Sequence, residues 1–361
     1  MDAIFNLPVI GFVLQFVAYL IDVILNGHIT PIILALATPI ALGALCGIMN
    51  ERSGIVNIGI EGMMLMSAFV GFITALIVQG DASPDPGDVF GVTPALVAGV
   101  VGAVLAGMAV STLHAWLSIS VRADQIISGT IINIVALGLT SYMNRLLTPT
   151  NSAGTFSSFR PPEEITELPI VGWLLEMFLA QGPIGMSVIV LVILLQVLLF
   201  RSRWGLRTRA VGEHPKAADT VGIDVIRLRY RNVIIGGVFA GLAGAYLTLE
   251  ATGTFQNGMT SGRGFIALAA VIFGRWTPIG AFGGALLFMA SEAIGVAIRL
   301  RPPPGELGTF LGGIQADNPS LYNNFFAGLP YILTIVILAG VVGRSIPPAA
   351  VGQPYEKEGA H

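Results

Sequence analysis

Glu61 is the residue whose type and setting most demand a chemical reason. It stands in NERSGIVNIGIEGMMLM (50–66), a stretch otherwise suited to lipid, beside Gly54, Gly59 and Gly62. An ionisable group at the centre of a bilayer costs about 2–3 kcal/mol or more, so it marks a functional position by default. A carboxylate here has two uses. It can accept hydrogen bonds from a polyhydroxylated solute, or it can bind backbone N–H groups freed where glycines interrupt a helix. Asn57, one turn away, can serve either role. A second set lies further on: Thr130, Asn133, Leu137, Thr140 and Asn144 are spaced 3, 4, 3 and 4. At about 100° per residue they share one helix stripe ~80° wide. Four of the five form hydrogen bonds and would be poorly satisfied in lipid, so the stripe faces other helices or water. A lining for a polar solute and a seam of interhelical hydrogen bonds both fit, the first better because the stripe runs nearly the whole helix.

Bond-breaking chemistry finds no support. No catalytic residue set emerges: HExxH, GxSxG and cysteine clusters are absent, and no metal site is expected. Cys46, the only cysteine, excludes an intrachain disulfide. A nucleotide-binding P-loop needs a lysine after glycine, and the only lysines are Lys216 in HPKAA and Lys357 in YEKEG. Nothing suggests nucleic-acid binding.

These residues must be carried by membrane helices. The 361 residues are 54% hydrophobic and 11% charged, with mean hydropathy +0.80, against about 25% charged in soluble domains. The expectation is an all-α integral membrane protein of about ten spans, placed at roughly 9–26, 31–49, 54–79, 91–119, 126–146, 183–200, 232–251, 262–274, 279–298 and 328–343. The eighth is too short to cross alone as a regular helix and should be broken or partly re-entrant. MDAIFNLPV lacks the features of a cleaved signal, so the first span is expected to be retained. Eight of 18 basic residues fall in 201–231, which places that loop in the cytoplasm with both termini. Residues 1–346 read as one transmembrane domain, and 347–361 as a disordered cytoplasmic tail.

Spans two to five and seven to ten form two groups entering from opposite sides. Each holds a glycine-interrupted segment in second position, SGIVNIGIEG (53–62) and SGRGFIALAA (261–270), the latter with Gly262 and Gly264. Paired broken segments in an inverted internal repeat point to a substrate path near the midplane.

In the basic loop, GEHPKAADTVGI (212–223) has a helix-opening Pro215 and a terminating Gly222. This stretch resembles the coupling segment of permease subunits of ATP-binding-cassette importers of the ribose and branched-chain amino-acid type, usually Gly-x-Asn-Pro-x-Ala-Ala followed by Gly-Ile. Gly212, Pro215, Ala217, Ala218, Gly222 and Ile223 match, and His214 replaces the usual Asn. The resemblance runs from about residue 30 to 345. ERSGIVNIGIEGMML and MTSGRGFIALAAVIFGRWTPIGA are similar to the nucleoside branch.

The resemblance implies a permease in a prokaryotic plasma (inner) membrane, paired with an identical or related permease. A cytoplasmic ATPase would carry ATP and magnesium and grip Glu213, His214, Pro215, Lys216, Ala217, Ala218 and Gly222. This chain would hold no cofactor, and an external solute-binding (lipo)protein would deliver substrate. Nucleosides are the expected cargo, with a simple sugar such as a pentose as the alternative. An ion-coupled secondary transporter using Glu61 or Glu292 is the rival mechanism.

Overall fold

The structure is a computed structural model. It describes residues 29–79, 90–147, 152–162, 171–300, 303–322 and 345–356, with single positions within 14–22, at 164 and within 324–328. The described residues form helices α1 (Ile29–Glu51), α2 (Ile60–Gln79), α3 (Pro94–Ala115), α4 (Gln125–Leu147), α5 (Gly172–Leu179) and α6 (Pro183–Arg201). They continue with α7 (Arg203–Glu213), α8 (Pro215–Thr220), α9 (Val225–Ala245), α10 (Arg263–Phe273), α11 (Pro278–Leu300) and α12 (Glu306–Asp317). α3 and α9 run on into π-helical turns, Trp116–Ser120 and Tyr246–Thr252. No strand occurs among the described residues.

Seven of these helices are long and apolar enough to cross a membrane: α1, α2, α3, α4, α6, α9 and α11. The protein is an all-α membrane protein. α10 is apolar but has 11 residues. At 1.5 Å per residue it reaches about 16 Å, half of a hydrocarbon core near 30 Å. The expected spans at 9–26 and 328–343 lie largely or wholly outside the described residues.

Helix starts follow local chemistry. Thr93 Oγ1 accepts from Leu96 N (3.2 Å) with Pro94 at the first position of α3, and Ser202 Oγ accepts from Gly205 N (3.1 Å) at α7. Asp224 Oδ1 accepts from Arg227 N (2.9 Å) at α9, so that helix begins at Val225, ahead of the expected 232. α2 instead starts late, at Ile60 and not near 54, because residues 52–59 take no helical conformation.

The chain divides into two compact units: 1–37, 160–181 and 286–343 in one, and 38–159, 182–285 and 344–361 in the other. In the first, Ile29, Ala293, Ala297, Ile298 and Tyr322 share an apolar cluster. There α5 meets the start of α1: Thr30 Oγ1 donates to Trp173 O (3.3 Å), and Gln181 Nε2 to Pro31 O (2.9 Å).

The second unit packs α2, α3 and α9 through small residues. A Cβ at Gly107 would lie 2.3 Å from Gly237 O and 2.8 Å from Gly241 N; one at Gly244 would lie 2.5 Å from Ala68 N. In a bilayer, where apolar burial gives little drive between helices, such close approach supplies the van der Waals contact that holds them. Residues 345–356, which overlap the start of the expected 347–361 tail, are hydrogen-bonded to the second unit. Their backbone is paired with Gly212, Glu213, Gly54 and Arg229, partners that composition does not reveal. Gly107→Val should overpack the α3–α9 contact at a cost of about 1–3 kcal/mol, read as a lower melting temperature of the purified chain in detergent.

Candidate functional site

Between α1 and α2 the chain leaves helical geometry for eight residues, and the unwound backbone groups need partners. They find them on surrounding side chains. Val56 N donates to Gln125 Oε1 (2.7 Å), and Val56 O accepts from His114 Nε2 (2.9 Å). A carbonyl only accepts, so Nε2 carries the proton and, in a neutral ring, Nδ1 accepts from Ser128 Oγ (3.1 Å). Asn57 is buried and its Oδ1 accepts from Gly59 N (3.0 Å). Asn133 bridges both sides of the break: Nδ2 donates to Ile58 O (3.0 Å), and Oδ1 accepts from Gly62 N (2.7 Å).

Glu61, in the first turn of α2, reaches across to the second broken segment. Its Oε1 accepts from Gly262 N (2.7 Å) and its Oε2 from Gly264 N (2.6 Å), so both oxygens cap the start of α10. Gly264 permits the approach, because a Cβ there would stand 2.6 Å from Glu61 N and Cα. Gly262, at φ +82°, is in the left-handed region where glycine carries no Cβ penalty. Gly54 also has positive φ (+91°), while Gly59 and Gly62 sit against Gly129 and against Ile132–Asn133 of α4.

The other end of α10 is held as well. Arg52 donates from Nε to Trp276 O (2.8 Å) and from Nη2 to Arg275 O (3.2 Å), and Glu51 Oε2 accepts from Trp276 Nε1. Segment 52–61 thus runs antiparallel to α10. It places a carboxylate at the positive N-terminus and a guanidinium at the negative C-terminus, the favourable polarity for a helix dipole.

The polar stripe of α4 divides. Asn133 joins the break; Thr140 is buried and donates to Ala136 O (2.7 Å) of its own helix. Thr130 is exposed and donates to Ile126 O (2.8 Å). Asn144 Nδ2 donates to Asn257 Oδ1 (3.1 Å), at the second irregular segment. Gln125, Ser128, Gly129, Ile132, Ala136 and Thr140 form the buried face, and Leu137 is exposed.

On the basic loop, Pro215 opens α8 with His214 at its cap, and Gly222 (φ +82°) follows it. Ala218 is buried with Val211, Val225 and Leu228, with Trp204, Ile223 and Tyr355 packed alongside. The outward residues are Lys216, Ala217, Thr220 and Val221, the last 75% exposed. Glu213 Oε2 accepts from Ala349 N (3.1 Å).

A family described as "Branched-chain amino acid transport system / permease component" matches residues 29–338. The chain belongs to this family. The permease is 36% identical to the guanosine ABC transporter permease protein NupQ of Bacillus subtilis, over 91% of this chain and 96% of that one. It is 34% identical to the nucleoside ABC transporter permease protein NupC of Lactococcus lactis, over 89% and 94%. With the putative glucose ABC transporter permease protein TsgC13 of Haloferax volcanii it shares 33% identity, over 89% and 95%. No solved structure matches.

In the permease, Asn57, Glu61, Asn133 and all five expected glycines lie in or beside the two irregular segments, whereas among the described residues Thr130 and Thr140 bond within α4. Three contributors escaped the sequence reading. Arg52 does not stand out among the chain's basic residues. Gln125 carries no signal in the sequence. Glu250, inside an expected span, accepts from Ile184 N (2.8 Å) and Gly185 N (3.0 Å) and caps α6 as Glu61 caps α10; the rule that singled out Glu61 applies equally to it. Glu61→Ala would leave two N–H groups without acceptors, at about 1–3 kcal/mol each. The expected result is a lower melting temperature and faster amide exchange at Gly262 and Gly264, with Glu61→Gln intermediate because it keeps one carbonyl acceptor.

Proposed function

We propose that this permease is the membrane-spanning subunit of an ABC importer that moves nucleosides. The observation that carries the reading is the match to guanosine and nucleoside permeases over about nine-tenths of both chains. ATP and magnesium belong to a separate cytoplasmic ATPase, which grips α8 by its outward face. A second permease, a copy or a relative, completes the path, and an external binding protein supplies the solute. The membrane is the prokaryotic plasma membrane, with the basic loop and both termini in the cytoplasm.

The geometry supports a path beside α4. α4 is largely exposed where α1 and α9 are largely buried, and its exposed face carries Thr130, Leu137 and Tyr142. A hydroxyl among apolar and aromatic groups suits a ribose and a base, and the facing wall would come from the second permease. A sugar cargo is the second reading, favoured by the similarity to the putative glucose permease. Ion coupling through Glu61 finds little room, since both its oxygens already accept backbone N–H groups.

In vesicles holding the permease and its co-expressed partners, labelled nucleoside uptake should require ATP on the ATPase side. Unlabelled nucleosides should compete while pentoses and glucose do not; competition by sugars alone would select the second reading. Val221→Cys should cross-link to the ATPase, and the buried Ala218→Cys should do so at least tenfold less.

A further inference from the structure

Residues 345–356 visit four parts of the cytoplasmic end of one compact unit in twelve positions. Ser345 Oγ donates to Ile272 O (2.8 Å), near the end of α10. Ala349 N donates to Glu213 Oε2 (3.1 Å) and Ala350 N to Gly212 O (2.9 Å), at the junction of α7 and α8. Gly352 N donates to Gly54 O (3.1 Å), within the first break. Glu356 Oε1 accepts from Arg122 Nη1 (2.6 Å), between α3 and α4. Tyr355 packs on the cluster that holds Ala218 of α8.

Arg229 joins the same centre. It is buried, with Nε donating to Ser53 O (3.1 Å) and Nη1 to Gln353 O (3.1 Å), so one guanidinium ties the break to the tail. The fit is close: a Cβ at Gly212 would stand 2.3 Å from Arg52 O, and one at Gly54 2.7 Å from Arg229 Nη2 and 3.1 Å from Ala350 O.

We infer that the C-terminal segment is a coupling strap, a positioning element that makes α8, the Ser53–Gly54 turn and the end of α10 move as one body. This rests on the importer reading above. Displacement of α8 by the ATPase then pulls on Gly54 through a short run of backbone hydrogen bonds, and the break carries the pull to Glu61. Without the strap, α8 can tilt on its Pro215 and Gly222 ends while the break stays where it is.

Two forms test this in the assembled importer: a chain ending at Ile346, and the milder full-length Gly352→Val, Tyr355→Ala. The first removes the strap beyond its anchor on Ile272. The second puts a β-branched residue at φ +76° and takes away the packed ring. ATP hydrolysis and nucleoside uptake are measured together on the same vesicles, with assembled complex quantified. The expected result is hydrolysis within about twofold of the parent and uptake per ATP reduced at least tenfold by truncation, with a smaller loss in the milder form. An unchanged ratio in both forms overturns the strap, whether uptake and hydrolysis persist or fall together with the amount of complex. Should the parent complex itself show no ATP-driven uptake while competent to hydrolyse ATP, the importer reading falls, and the strap's role with it.

Discussion

Backbone that unwinds between two apolar helices must find its hydrogen-bond partners within the protein, and the second compact unit is arranged around that requirement. Each unpaired group there costs several kcal/mol in hydrocarbon. A row of leucines at 52–61 would span more stably in isolation but would leave nothing to meet the start of α10. Glu61 resolves both needs with one side chain. Its two oxygens serve two N–H groups, and bonds to a charged acceptor contribute about 1.5–3 kcal/mol each. The cost of placing a carboxylate in the membrane is thereby offset by the helix end it completes.

The same logic explains why the polar residues sit where they do. His114 and Gln125 serve Val56, Asn133 serves Ile58 and Gly62, and Arg52 serves the carbonyls of Arg275 and Trp276. These side chains come from two helices and one turn, so the break is stable only when α3 and α4 are already in place, and Arg52 ties it to the end of α10. Glu250 repeats the device at α6. Glycine contributes chiefly by closeness: Gly264 lets α10 reach Glu61, and Gly107 lets α3 reach α9.

Much of this was legible in the sequence, for a physical reason. Charged or amide side chains in apolar runs are costly enough to be conspicuous, and Glu61, Asn57 and Asn133 all lie at the breaks. Their partners were not legible, because Gly262 and Gly264 are some 200 positions away and a backbone N–H has no sequence signature. Helical spacing put Thr130 and Thr140 in one stripe with Asn133, yet a threonine can satisfy itself on the preceding turn, and both do. Nor were the partners of 345–356 legible, since its main-chain bonds reach distant loops.

Holding α10 at both ends limits what the second unit can do. Sliding α10 along segment 52–61 by one residue, about 1.5 Å, would move Gly262 and Gly264 off the carboxylate and Arg275 and Trp276 off the guanidinium together. Those bonds carry formal charge against helix ends and gain strength from the low dielectric around them. Rotation of the whole clasp breaks none of them. The least constrained boundary is the exposed face of α4, whose side chains are left largely uncovered by the described residues. Displacement in this unit is therefore cheapest as rigid-body motion of the two joined breaks, taken up at that face.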